Sequence, residues 1–210
     1  MRYLEFHEYL KKDSIMYSYL ARKFHKQNKK VLAGEVVVVS KEHIAIVRKG
    51  VLVKESVEQR KFFTRSFFQE TIIVPTTHTI MLKALEESEI SFIKADEVFE
   101  KLEEEKLLSN LFLQVAEKLE ADLERQEMLA VEFPENKILE TLYFISISYS
   151  SKSLKLKLPH WLQIKVLARF ANCSVSTTSS VIHSLHKKGI VDIMASPWQL
   201  NMEALEFKPA

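Results

Sequence analysis

The densest group of hydrogen-bonding side chains in the sequence lies between Cys173 and Ser180. Seven of these eight residues carry a hydroxyl or a thiol. Small hydroxyl side chains near the start of a helix can bond phosphate oxygens or the base edges in the major groove of DNA. The residues expected to face bases are Ser176, Thr177, Ser179, Ser180 and His183.

Cations surround this group, and carboxylates are missing from it. Residues 141 to 191 contain seven Lys/Arg and no Asp/Glu, in a chain that is 28% charged. This segregation favours a surface that faces a polyanion, although cations that merely solubilise the surface are the alternative. The residues expected to contact phosphate are Lys157, Lys165, Arg169, Ser174, Lys187 and Lys188; Ser174 would do so at a helix N-terminus.

The spacing of apolar residues places the hydroxyl group on the second of two short helices. The inward residues of the first are Ile164, Leu167, Ala168 and Ala171, and those of the second are Thr178, Val181, Ile182 and Leu185. Pro159 suits the first turn of the first helix, Asn172 suits its end, and Ser174 suits the cap of the second. After Gly189, "IVDIM" and "WQLNM" predict a hairpin. The pattern favours a winged helix-turn-helix over a generic helical hairpin.

Three segments with different residue patterns precede this region. Helical spacing predicts a helix in Met1–Lys30, and β-branched residues from Lys29, with turns at Ala33–Gly34 and Lys49–Gly50, predict a small barrel or sandwich of short strands. No Gly or Pro lies between Lys94 and Pro134, which predicts one long helix. Its apolar stripe, expected to form a dimer seam, consists of Leu108, Phe112, Val115, Leu119 and Leu123. Packing against the N-terminal helix is the alternative.

The composition argues against several classes of protein. One cysteine, Cys173, excludes an internal disulfide and a multi-cysteine iron–sulfur or zinc site within one chain. Three glycines leave no Gly-rich phosphate loop, and no nucleophile–base group stands out, so we expect neither an enzyme nor a cofactor. His183 and His186 have metal-ligand spacing but no third ligand, so we expect no metal. The absence of a signal peptide or membrane span favours an intracellular, cytoplasmic protein without a membrane partner.

Two smaller signals have structural interpretations. We expect Cys173 to be a buried, inert thiol in the turn before the second helix, with a redox switch as the alternative. A Phe-rich segment is expected to fill the core, with an effector pocket as the alternative; it consists of Phe62, Phe63, Phe67 and Phe68.

The chain resembles the Crp/Fnr family of bacterial transcription regulators over nearly its whole length. "LARFANCSVSTTSSVIHSLHKKGIV" is similar to that family's "LA..lG.sr.tvsr.l..L...gli", and "IAIVRKGVLV" is similar to its strand–"kG"–strand signature, with Gly50 as the matching glycine. The resemblance implies an α+β fold with a β-roll (jelly-roll) sensor domain in residues 1–95, a dimerisation helix in 96–133 and a winged helix-turn-helix domain in 134–210. It also implies a homodimer on double-stranded DNA, with RNA polymerase as a candidate partner.

The sequence departs from that family at two sites. The family often has Arg, Glu and Arg where this chain has Val175, Ser176 and Ser180, so the family's usual operator is not expected. Residues 55–85 contain no glycine and no Arg-x-Ala, so we expect that cyclic AMP is not bound through the family's phosphate cassette and does not control the protein. A sensor or protein-interaction module of the same fold, which does not bind DNA, is the alternative function.

Overall fold

The fold is that of a computed structural model, which describes residues 15–24, 28–58, 61–75, 78–149, 155–201 and 204. The chain divides into two compact units. The first runs to Glu55 and resumes over Arg65–Glu124, and the second holds Ser56–Thr64 and the chain from Arg125 onward. The predicted domain boundaries themselves stay a prediction.

The first unit contains most of the predicted short strands, and the second unit includes the end of β4 and the start of β5. The elements begin with helix α1 (Ile15–Lys23), followed by β1 (Lys29–Val31), β2 (Val36–Val39), β3 (His43–Lys49), β4 (Leu52–Glu58), β5 (Lys61–Phe67), β6 (Thr71–Ile73), β7 (Ile80–Ala84) and β8 (Ser88–Lys94). The strands form two four-stranded sheets, in the orders β1-β8-β3-β6 and β2-β7-β4-β5. The N-terminal helix was predicted too long, because the described helix ends at Lys23 and a strand begins at Lys29; residues 1–14 lie outside the described residues.

Strand β3 carries the core on both of its faces. Ala45 and Val47 belong to a cluster shared by the two sheets, whereas Ile44 and Ile46 belong to a cluster with α1 and the helices after β8. A strand that is buried on both faces has a continuous apolar run instead of an alternating pattern, which accounts for "IAIV".

Gly50 occupies the predicted turn between β3 and β4. Its φ is +87°, which is the left-handed region that favours glycine. A Cβ at this position would lie against Ser88 Oγ and 2.8 Å from the Glu87 carbonyl oxygen. Both the backbone conformation and the lack of space for a side chain therefore require glycine at this position.

The predicted long helix is two helices, which corrects the sequence analysis. Helix α2 spans Ala95–Glu104 and helix α3 spans Leu108–Val131. Between them Lys106 has a φ of +58°, and Leu107 N donates to the Leu102 carbonyl oxygen at 2.7 Å. This is the hydrogen bond of a Schellman helix end, and the apolar residue after the left-handed position, Leu107, packs against the core.

The second unit contains α4 (Pro134–Tyr149), β9 (Lys155–Lys157), α5 (Ile164–Phe170), α6 (Val175–Lys187), β10 (Val191–Asp192) and β11 (Gln199–Asn201). The three strands form one antiparallel sheet in the order β10-β11-β9. The helix expected from Pro159 begins instead at Ile164. Leu162 N donates to the Pro159 carbonyl oxygen at 3.0 Å, which closes a turn, and Gln163 is extended before the helix. No helix in the described ranges is long and apolar enough to cross a membrane.

Candidate nucleic-acid interface

Helices α5 and α6 are joined by the turn that the sequence predicted. Asn172 has a φ of +50°, and Cys173 N donates to the Ala168 carbonyl oxygen at 2.9 Å, so α5 ends in a Schellman motif. Ser174 caps α6, because its Oγ accepts from Thr177 N at 3.0 Å. These two local devices set where α6 begins relative to α5.

The inward faces of both helices are buried as predicted, with two exceptions. The buried side chains are Leu167, Ala168, Phe170 and Ala171 around α5 and Thr178, Ile182 and Leu185 on α6. Ile164 and Val181 are only half buried. Thr178 fits among apolar neighbours because its hydroxyl donates to the Ser174 carbonyl oxygen at 2.9 Å.

Arg125 positions this helix pair. No pattern in the sequence predicts this role. Its Nη2 donates to the Phe170 carbonyl oxygen at 3.2 Å and to Thr141 Oγ1 at 3.3 Å. Its guanidinium also lies 4.2 Å from the ring centroid of Phe144. One cation thus connects the last turns of α3 with α4 and with the end of α5.

The outer face of α6 is polar and basic. Ser176, Ser180, His183 and Lys187 are all exposed, and their spacing of four, three and four residues places them on one side of the helix. Thr177 and Ser179 are half buried at its margin. The structure therefore brings four of these residues together on one accessible helix face.

The hydroxyls at the start of α6 also bond one another. Ser174 Oγ lies 2.7 Å from Thr177 Oγ1 and 2.9 Å from Ser176 Oγ. A hydroxyl has one donor and two acceptor positions, so part of the capacity of each side chain is used within the helix. Thr177, expected to face bases, is thus turned partly toward the cap.

The expected phosphate-binding cations belong to three elements of the second unit. Lys157 on β9, Lys165 on α5 and Lys187 on α6 are exposed, and Arg169 on α5 is half buried. Lys188 is also exposed, and its Nζ lies 2.6 Å from Glu135 Oε1 on α4. A carboxylate outside the acid-free stretch is therefore paired with this lysine.

The predicted hairpin follows α6. Strands β10 and β11 pair antiparallel, with Val191 opposite Leu200. Asp192 Oδ1 accepts from Met194 N at 2.9 Å and shapes the connecting turn. His186 Nδ1 lies 3.0 Å from the Val191 carbonyl oxygen, so His186 joins the helix to the hairpin. No group of three His, Cys, Asp or Glu within the described ranges could hold a metal ion.

Cys173 is partly buried in the turn before α6. Burial raises the pKa of its thiol, and the nearby Lys137 opposes this rise. The Sγ atom lies 3.4 Å from the Ala171 carbonyl oxygen. A raised pKa disfavours the thiolate, which is the reactive form, and this agrees with a packing role.

The first unit contains a pocket of about 340 Å³ between its strands and α3. Phe67 and Phe68 are buried, in agreement with core filling, but Phe67 also lines this pocket, whereas the side chains of Phe62 and Phe63 lie outside the described residues. Arg65 lines it too and is paired with Asp122 at 2.6 Å. The pocket is therefore partly apolar and partly cationic.

The sequence matches no protein-family model, and no curated protein is significantly similar to it. Solved structures are similar in fold. FixK2 from Bradyrhizobium japonicum matches with a TM-score of 0.73 at 10% identity, over 88% of this chain and 98% of that one. A cyclic nucleotide-binding domain containing protein from Listeria monocytogenes matches with a TM-score of 0.74 at 14% identity, over 92% and 100%.

A third match is named by family. A transcriptional regulator of the CRP/FNR family from Thermus thermophilus has a TM-score of 0.65 at 17% identity, over 86% of this chain and 96% of that one. These matches span both units and nearly the full length of each solved chain. The protein therefore has the Crp/Fnr-type fold.

Proposed function

We propose that the protein is a DNA-binding regulator of transcription. The observation that carries the proposal is the exposed face of α6, where Ser176, Ser180, His183 and Lys187 form one continuous polar and basic strip. The second helix of a helix-turn-helix lies in the major groove and contacts base edges through its N-terminal residues. Ser176 and Ser180 then face bases, and Lys187 reaches the backbone at the far end of the same strip.

The cations around α6 supply the attraction to DNA that is independent of sequence. Lys157, Lys165 and Lys187 are exposed on three elements of the second unit, and residues 141 to 191 contain no carboxylate. Each phosphate contact releases counterions, so affinity falls as salt rises. Lys188 contributes less because its charge is shared with Glu135.

The protein acts as a homodimer through α3. Phe112, Leu119 and Leu123 are 52%, 47% and 59% exposed on this helix, although each is large and apolar. The other two residues of the expected seam, Leu108 and Val115, pack partly against the core of their own unit. A second copy of α3 would cover the three exposed side chains, and two copies of α6 would then read a two-fold symmetric site.

The regulator is not controlled by cyclic AMP. Residues 55–85 lack the glycine and the Arg-x-Ala that the phosphate cassette needs, and Arg65 at the pocket is already paired with Asp122. We also propose RNA polymerase as the protein partner of the DNA-bound dimer.

Selection of bound sequences from a pool of random duplexes tests this function. The expected result is a two-fold symmetric site whose half-sites are separated by about one turn of DNA. Ser180→Ala is expected to change the preferred bases, with Ser109→Ala, an exposed serine on α3, as the matched control. If no duplex is enriched, the protein-interaction module is the better account of the fold.

A further inference from the structure

Val175 is an exposed apolar side chain at the first position of α6. It is 49% exposed, whereas the residues around it carry hydroxyls. The other residues of α6 belong either to its buried apolar face or to its polar surface, but Val175 is apolar and exposed and fits neither group. Val175 is also absent from the residues that the sequence predicts to face bases.

The neighbouring hydroxyls leave Val175 as the least polar part of this helix start. Ser174 Oγ receives Thr177 N and lies within 2.9 Å of the Ser176 and Thr177 hydroxyls. These three side chains are therefore held to the cap by mutual hydrogen bonds. Val175 has no polar atom beyond its backbone, and its branched Cβ restricts χ1, so its two methyl groups have few alternative positions.

The major groove contains one apolar group that distinguishes bases, the 5-methyl of thymine. We propose that Val175 contacts this methyl group and makes a thymine part of each half-site. This inference rests on the proposed function and adds to it the base that the first residue of α6 selects. Cytosine lacks this methyl group, and a purine presents its N7 acceptor on the major-groove edge, so neither offers Val175 the same apolar contact.

The experiment begins with the duplex enriched by selection. A series of duplexes is made, and each duplex has uracil in place of thymine at one position, changed symmetrically in the two half-sites. This replacement removes only the 5-methyl group and keeps the hydrogen-bonding edge. Burial of one methyl group corresponds to about fourfold in affinity per contact, from ~0.8 kcal/mol per buried carbon group. The expected result is one thymine whose replacement weakens binding by about fourfold for each half-site.

Val175→Ala identifies the reading side chain. This variant is expected to bind the thymine duplex more weakly and to lose the difference between thymine and uracil at that one position. Val131→Ala is the matched control, since Val131 is also an exposed valine but lies on α3. Helix stability is not at risk, because alanine has the higher helix propensity.

The outcomes separate this inference from the function on which it rests. Binding that is indifferent to every uracil, or a thymine preference that survives Val175→Ala, overturns the assignment to Val175 and leaves DNA binding intact. Failure of the unaltered protein to enrich any duplex overturns the proposed function and this inference with it.

Discussion

At the scale of single residues, Ser174 combines a structural and a functional position. Its Oγ caps α6 by accepting from Thr177 N, and it lies at the helix end where we propose that DNA approaches. Asn and Asp are as good as Ser at an N-cap, but only Asp adds a negative charge. The two roles can therefore be separated by substitution.

Ser174→Ala is expected to lower the free energy of unfolding by about 1 kcal/mol, because α6 loses its cap. Ser174→Asn and Ser174→Asp are expected to retain most of the stability, whereas only Ser174→Asp weakens duplex binding. Urea unfolding and fluorescence anisotropy measure the two effects. Ser180→Ala is the stability control, since Ser180 is exposed in the interior of the same helix. Equal unfolding midpoints for Ser174→Ala and Ser180→Ala would contradict the capping role.

Lys187 and Lys188 are adjacent residues that the structure distinguishes. Lys187 is exposed on the polar strip of α6, whereas Lys188 is paired with Glu135. Lys187→Gln is expected to reduce the slope of log affinity against log salt by about 1 for each half-site. Lys188→Gln should reduce the slope less. Equal reductions would show that the pair with Glu135 opens on binding.

Some helix ends could be predicted from residue type, and others could not. Asn172 after α5 and Gly189 after α6 are both left-handed, and both residue types are favoured there, so both ends could be predicted. Lys106 adopts the same conformation without any such preference. The contact of Leu107 with the core decides that helix end, and a contact of this kind is visible only in the folded chain.

At the scale of elements, α1 is tied to the break between α2 and α3 by one carboxylate. The Tyr19 hydroxyl donates to Glu105 Oε2 at 2.5 Å, and Lys23 Nζ lies 3.2 Å from Oε1. The hydrogen bond from Tyr19 is the main cause that lowers the pKa of Glu105. Burial, followed by the bond to Glu105, raises the pKa of Tyr19 to about 12.

Acid is expected to weaken this connection. Because the pKa of Glu105 is lowered in the folded protein, its stabilisation is complete above its ordinary value of 4.5 and is lost as the pH falls through the lowered value. At the alkaline end, the contribution of Tyr19 is complete below pH 10 and is lost as the pH rises through about 12. Urea unfolding at a series of pH values measures the loss of stability at acid pH, here called the acid limb, and the loss at alkaline pH.

Tyr19→Phe tests the assignment of the acid limb. It removes the hydrogen bond to Glu105, so the loss of stability between neutral and acid pH should become smaller than in the unaltered protein. Tyr17→Phe removes a hydroxyl from the same helix without removing that bond and serves as the control. An unchanged acid limb in Tyr19→Phe would be incompatible with this account.

At the scale of the whole molecule, the exposed stripe of α3 predicts the oligomeric state. Leu123 is 59% exposed and does not line the pocket of the first unit, so a charge there should leave the isolated chain folded. Leu123→Glu is expected to give monomers by light scattering, because a seam would bury the charge without a partner. Ala121→Glu adds the same charge at another exposed position of α3 and should stay dimeric. Persistent dimers of Leu123→Glu would place the seam elsewhere.

The architecture could be predicted further than the fine structure of the site. The β-branched runs, the Asn and Gly helix ends and the acid-free stretch indicated the strands, the helix pair and the basic face. Arg125 could not be found, because its partners Thr141 and Phe170 are distant in sequence. The pairing of Lys188 with Glu135 could not be found for the same reason. Local rules predict the elements, and long-range contacts decide which side chains remain available.

The most direct test of the central claim is the affinity of the full chain for the selected duplex at several salt concentrations. If Lys157, Lys165, Arg169 and Lys187 contact phosphates in both copies of a dimer, log affinity should fall linearly with log salt, with a slope of about −7. A slope near zero, or no binding to any duplex even at low salt, would contradict the claim that this face of the protein binds DNA.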